Sequence, residues 1–390
     1  MDKKIRSKGP DLCTLPYLYA PLKRTMKNFV FLTCILWLSV GARAQSALHP
    51  QIDERVEFLN IVYQLARYGQ ATEAGNPDYT KAINRHFLPY GGHKAIAYTK
   101  DLIGKYWQDS IDIKDWELPS LAVHIASLRD FKPLTGAYRD STDGWDDRTL
   151  LSPEYLQLLQ SFYRDSRAKT FFKARKKYYA QVGRCFLEKG TPVDGSWIQR
   201  FFSTPKTETY YPILSLSPAG GAYIRANLDP VRRNTHTVFG SSGYDAAGRP
   251  LDVDNPYFAW AILHETIHCY SNQLVEQNAA KFRAIGEALL TNKTVLEKTK
   301  NTFYGNWRYL IYESMVRSVS IRYAMAHHTV PAKTEEDIKK QESLGFLWMR
   351  DLVDLLGKYE SNRTQYRDLS AFMPEIVAAF EGYAQKYAGK

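Results

Sequence analysis

The chain is 390 residues long, 44% hydrophobic and 24% charged, a balance that suits a globular protein of one large or two modest domains and excludes a largely disordered chain. Its formal net charge of +11 does not mark a nucleic-acid binder: eight Lys and Arg but only Asp2 and Asp11 precede residue 45, and the rest is close to balanced, so no nucleic acid or other polyanionic partner is expected. Only Cys185 and Cys269 lie within the chain beyond that segment, which excludes a disulfide-stapled mini-fold; the two either pair in an oxidising compartment or sit apart as small buried hydrophobes.

Residues 1–44 read as a signal peptide region. Lys23, Arg24 and Lys27 precede an apolar run over residues 29–40, and Ala42-Arg43-Ala44 offers small residues at the two positions a signal peptidase reads. Such runs seldom follow a long polar leader, so Met26 is the expected true start. The run is short for a permanent anchor, and no later stretch approaches the roughly 20 apolar residues of a spanning helix. Cys34 lacks the small residues that precede a lipoprotein anchor. An exported protein is expected, periplasmic or extracellular, with no stable membrane anchor.

Residues 45–150 read as an N-terminal helical region. Over 52–68, Val56, Leu59, Tyr63 and Ala66 recur at helical spacing, and residues 94–104 and 118–129 repeat the pattern. Turn-forming clusters at Thr135-Gly136 and Asp143-Gly144-Trp145-Asp146-Asp147 mark a boundary, and Ser152-Pro153-Glu154 opens the second region, 151–390. Residues 162–189 predict one long, basic, aromatic-bearing helix. The period then changes: residues 210–216, 222–228 and 235–239 are short, rich in β-formers and separated by Pro, Gly, Asn and Asp, as strands of a small sheet would be. Asn255-Pro256 signals a helix start, Asn capping the first amides and Pro fitting the first turn. Further helices are expected at 303–327, at 335–358 with Thr334 as cap, and at 373–388. The expected fold class is α+β, predominantly helical.

The helix that starts at Pro256 contains Leu263-His264-Glu265-Thr266-Ile267-His268-Cys269-Tyr270, an HExxH sequence. Two His residues four apart stack on one helix face and can reach one tetrahedral metal, while the Glu beside the first points at the remaining coordination position. Leu263, Ile267, Tyr270 and Leu274 form a separate apolar stripe that anchors the helix to a core. A catalytic metal usually has three protein ligands, and the extended motif HExxHxxGxxH fails because Leu274 occupies the third His position. Glu276 is rotated away on a continuous helix, and Glu287 and Glu297 flank expected loops. Glu313 is the best third ligand: its neighbours on a later helix are apolar, and a carboxylate is costly to bury unless a cation receives it. The ordinary alternative is a surface pair of Glu313 with Arg317, four residues on; Arg317 can equally hold the ligand carboxylate or a substrate oxygen.

HExxH followed by a Glu on a later helix resembles the gluzincin metallopeptidases, as does the order of small sheet, motif helix and glutamate helix. The ExxxR form, with Val56-Glu57-Phe58-Leu59 and His86-Phe87-Leu88-Pro89-Tyr90 upstream, is similar to a family of secreted bacterial proteins of unknown function with zincin-type sites. Where many gluzincins carry Asp four residues after the ligand Glu, this chain has Arg317. The resemblance implies a zincin-like small sheet packed on an active-site helix, followed by a helical C-terminal part. It implies Zn2+ held by His264, His268 and Glu313, a peptide or protein substrate, and Glu265 as the base that takes a proton from water and returns it to the leaving amine. Candidates for a donor to the developing oxyanion are Arg317, Tyr309, Tyr312, Tyr323, His236, His327 and His328. Residues 220–228 are the expected edge strand for an extended peptide. The rival expectation is a non-catalytic zincin-like module that grips peptide or glycan with its 27 Tyr and 8 Trp.

Overall fold

A computed structural model describes the chain from residue 50 onward, apart from residues 72–75, 109–116, 135–151, 191, 204–207, 217–221, 228–232, 242, 252, 301 and 329. The signal peptide region with Met26, and the turn-rich boundary at 135–147, lie outside the described residues. Among the described residues, seven α-helices precede most of the sheet: α1 (Glu54–Tyr68), α2 (Pro77–Phe87), α3 (Lys94–Gln108), α4 (Glu117–His124), α5 (Pro153–Asp165), α6 (Ala168–Lys189) and α7 (Gly195–Phe202). The strands are β1 (Gln51–Ile52), β2 (Glu208–Ser215), β3 (Ala222–Asn227) and β4 (Arg233–Gly240), in the order β1-β2-β4-β3. The first three in that order are parallel and β3 runs antiparallel along the edge. After the sheet come α8 (Pro256–Glu276), α9 (Ala279–Leu289), α10 (Lys293–Thr299), α11 (Trp307–Ala326), α12 (Pro331–Ser343), α13 (Met349–Ser361) and α14 (Leu369–Tyr387). The fold is α+β and predominantly helical, and residues 47–390 form one compact unit. One hydrophobic cluster runs from Val56 on α1 to Tyr383 on α14.

Two expected helices are each divided in two. The stretch 162–189 breaks at Ser166-Arg167: Ser166 turns both its amide and its hydroxyl onto the Phe162 carbonyl, and Arg167 takes a left-handed conformation with φ 53°. No Gly or Pro marks this break, and Phe162, Phe171 and Phe172 are buried on both sides of it, so the apolar pattern runs through it. The stretch 335–358 breaks at Gly345, whose φ of +103° favours glycine. Phe346 and Trp348 fill the core between the two pieces. The first piece starts at Pro331, which leaves Thr334 buried within the helix rather than capping it. The helix expected over 118–129 ends at His124, and a short 3-10 turn, Phe303–Gly305, precedes α11.

Helix α8 is the hub that positions the motif. Asn255 caps it by accepting from the Tyr257 amide at 2.9 Å, and it packs against β2, β4 and α11. Leu263, Ile267, Tyr270 and Leu274 are all buried, each such side chain contributing about 1.5–3 kcal/mol by leaving water. Helix α11 is brought close by α9, where Gly286 leaves so little room that an added Cβ would lie 2.8 Å from the Trp307 Cβ. Cys185 and Cys269 are both buried and in no disulfide, so they act as small hydrophobes rather than as a staple. Among the described residues no helix is long and apolar enough to cross a membrane.

A buried carboxyl ties α1 to the end of β2. Glu57 accepts from the Leu216 amide at 2.8 Å, the Ser215 hydroxyl at 3.2 Å and the Tyr79 hydroxyl at 2.9 Å. Burial pushes its pKa up to about 7 against the pull of those three donors. The folded protein therefore holds this proton more tightly than the unfolded chain does. The associated stability is complete below about pH 4.5 and is lost as pH rises through about 7. Glu57→Gln keeps the shape and removes the titration. Chemical denaturation should show the variant gaining on wild type between pH 5 and 8, by up to about 3 kcal/mol; a gap that does not change with pH would refute this. His236, which burial pushes down to about 4, has the opposite sign: it loses stability as pH falls below about 6.5.

Candidate metal centre

The two histidines of the motif face inward from α8 and Glu313 faces them from the middle of α11. His264 Nε2 and His268 Nε2 are 3.2 Å apart, and Glu313 Oε1 lies 3.5 Å from the first and 3.3 Å from the second. All three side chains are buried. A tetrahedral ion with ligand bonds of 2.0–2.1 Å holds its ligand atoms about 3.3 Å apart, and these three atoms already have that spacing. They form a buried His-His-Glu group that can hold a metal ion.

Neighbouring polar groups orient two of the three side chains. Asn272, one turn beyond His268, pairs its Oδ1 with His268 Nδ1 at 2.9 Å. With the proton on Nδ1, the Nε2 lone pair points to the centre. Arg317 lies one turn beyond Glu313 and donates to Oε2 at 2.8 Å, leaving Oε1 to the histidines. The guanidinium is itself held by Gln341 Oε1 at 2.7 Å and the Tyr304 hydroxyl at 2.9 Å, and lies over the Tyr304 and Phe346 rings. The Glu313–Arg317 pair is thus buried, not a surface pair. Among the described residues His264 has no such partner: its Nδ1 is buried without a hydrogen bond, and its ring packs 4.8 Å from that of Trp260.

Electrostatics follow from this crowding. Burial would raise the Glu313 carboxyl, but His264 and His268 hold it well below its usual range. Burial pulls His268 down, yet Glu313 and Glu265 more than offset it and leave it raised. Glu265 is pushed up by burial, with His268 and His264 pulling the other way. The carboxylate beside the motif histidines makes no hydrogen bond among the described residues, and the Glu265 backbone carbonyl accepts from Cys269.

Among the proposed donors, Tyr312, Tyr323, His327 and His236 make contacts with residues outside the His-His-Glu group. Tyr312 donates to Glu276, which also pairs with Arg308; Glu276 is turned away from the histidines, as helix geometry required. Tyr323 accepts from the Asp194 amide at 2.7 Å and stacks on His327, itself 3.5 Å from Asp194. Tyr309 is half-buried against the Tyr312 ring. His236 stacks on Tyr211 within the sheet, and His328 is exposed with φ 64°. Arg317 is bonded directly to the His-His-Glu group, through Glu313. Sequence reasoning missed Asn272, Tyr304, Gln341 and Trp260. Asn272 was visible as a polar residue four after His268 on the same face; Tyr304 and Gln341 reach Arg317 from other elements, which local spacing does not reveal.

No curated protein and no solved structure matches the chain. A family model does match, over residues 48–379, and its span includes α1, the sheet and both helices that supply the His-His-Glu group. The chain belongs to the family described as Domain of unknown function (DUF4932).

Proposed function

We propose that the protein is a zinc-dependent hydrolase of peptide bonds, with His264, His268 and Glu313 as the metal ligands and Glu265 as the base. The observation that carries this reading is the spacing of the three ligand atoms, at 3.2, 3.3 and 3.5 Å, with a carboxylate next to the first ligand in the chain that bonds no other described residue. Two imidazoles and one carboxylate favour zinc among the common ions, since magnesium and calcium prefer oxygen donors. When bound, zinc supplies a Lewis acid that polarises the scissile carbonyl and lowers the pKa of water.

The remaining work belongs to side chains of the protein. Asn272 fixes the His268 tautomer and Arg317 fixes the Glu313 carboxylate, so the ligands need little reorganisation. Glu265 takes the proton of the attacking water and passes it to the leaving amine, which splits the difficult step into two short transfers. Strand β3, at the edge of the described sheet and antiparallel to β4, is the strand on which an extended peptide can align. The signal-like pattern of residues 1–44 supports an exported activity.

Two measurements on the purified protein test the proposal. Elemental analysis should find one zinc per chain. Cleavage of a mixed peptide library should stop with 1,10-phenanthroline and return with added zinc. Cleavage indifferent to the chelator, or a zinc-loaded protein that cleaves no peptide, would reject it; the latter result would favour a binding module.

A further inference from the structure

We infer that Tyr257 and Trp260 form a subsite that selects peptides carrying a large apolar or aromatic side chain beside the scissile bond. The inference rests on the peptidase reading and names the substrate class that reading leaves open. Along α8, Tyr257, Trp260 and His264 follow at spacings of three and four, so they share one helix face. Tyr257 is 54% exposed and Trp260 43% exposed, whereas His264 is buried. Their rings form a chain, Tyr257 to Trp260 at 6.0 Å and Trp260 to His264 at 4.8 Å. An apolar ledge therefore runs from solvent directly to a metal ligand.

Packing does not account for this exposure. The core side of the same turns is supplied by Phe258, Ala261 and Ile262, all buried, so Tyr257 and Trp260 are additional to the anchoring face. Large aromatics left in water beside a reactive centre give binding energy to whatever covers them. The ledge continues into the proposed centre, so what covers it is the part of the substrate next to the reacting carbonyl. Residues 256–263 carry no Asp, Glu, Lys, Arg, Asn or Gln. A sugar needs such groups to bond its hydroxyls and a charged side chain needs a counter-ion, so the chemistry favours an apolar side chain of a peptide.

The test compares blocked peptides of the form Ala-Ala-X-Ala-Ala, with X as Phe, Leu, Ser or Glu. Wild type should prefer Phe and Leu. In Trp260→Ala the Phe-over-Ser ratio of kcat/KM should fall by about tenfold to a hundredfold, mostly through KM. Tyr257→Ser, further from His264, should lower it less, and Trp260→Phe should restore most of it. Bound zinc, measured in each variant, reports on the centre separately. An equal loss for all four peptides would overturn the inference and leave Trp260 as a support for the His264 ring. So would loss of chitooligosaccharide binding in Trp260→Ala with the peptide ratio unchanged. Binding is also measured in Glu265→Gln, by calorimetry with the Phe peptide and the Ser peptide. If no peptide is cleaved by wild type but the Phe peptide binds more tightly and does so through Trp260, the ledge stands and the hydrolase reading falls. If wild type cleaves all four peptides equally well, the ledge falls and the hydrolase reading stands.

Discussion

Glu265→Gln should lower kcat for peptide cleavage by about 10²–10⁴-fold with KM little changed, the range expected when a positioned proton carrier is lost. The substitution keeps the size of the side chain and one acceptor oxygen, and removes only the ability to take a proton. The fold should tolerate it: Glu265 lies off the buried stripe of Leu263, Ile267, Tyr270 and Leu274, and its carboxylate bonds no described residue. Its neighbours His264 and His268 keep their contacts with Glu313, so bound zinc should be retained and the melting temperature unmoved. These controls give the kinetic result its meaning. Activity within a few-fold of wild type would remove Glu265 from the proton path. Activity lost together with zinc would show that the side chain supports the metal centre and would leave the base unidentified.

The parts of this site that sequence revealed are those in which function and local geometry coincide. HExxH is legible because both histidines and the base lie within five residues of one helix, and because the core-facing stripe on that helix is a separate set of residues. Asn255-Pro256 located the helix start for an equally local reason. Glu313 was legible through cost: a carboxylate among Leu310, Ile311, Tyr312, Met315 and Val316 needs a partner. What could not be read was set by long-range packing. Arg317 is held by Tyr304 from the turn before α11 and by Gln341 from α12, and neither stands at a telling distance in the chain. The division of 162–189 at Arg167 was hidden for a different reason, since α5 and α6 bury the same kind of aromatic residue and no Gly or Pro marks the turn between them. The division of 335–358 did carry a signal, Gly345, but a lone Gly is tolerated inside helices; the buried bulk of Phe346 and Trp348 decides the matter. The tyrosines proposed as donors illustrate the limit most directly. Tyr312 sits beside Glu313 in the sequence yet faces Glu276.

Glu313→Gln should have two separable effects, because its two oxygens have two different tasks. Oε1 faces both histidines and Oε2 receives Arg317. The variant removes the anionic ligand, so zinc affinity should drop by more than the ten- to hundredfold typical of losing an outer partner such as Arg317. It also leaves the Arg317 guanidinium with only 11% of its side chain exposed and no anion in contact, since Gln341 and Tyr304 offer neutral oxygens. Removing one partner of a buried pair typically costs about 3–5 kcal/mol, and urea denaturation in the presence of a chelator should show that loss without any contribution from metal binding. Adding Arg317→Met removes the orphaned charge while keeping much of its bulk over the Phe346 ring. The double variant should therefore regain most of the stability while its zinc affinity stays low. Wild-type zinc affinity in Glu313→Gln would mean that another group completes the centre. Unchanged stability of the single variant would mean that Arg317 reaches solvent when released, and that the pair serves the metal rather than the fold.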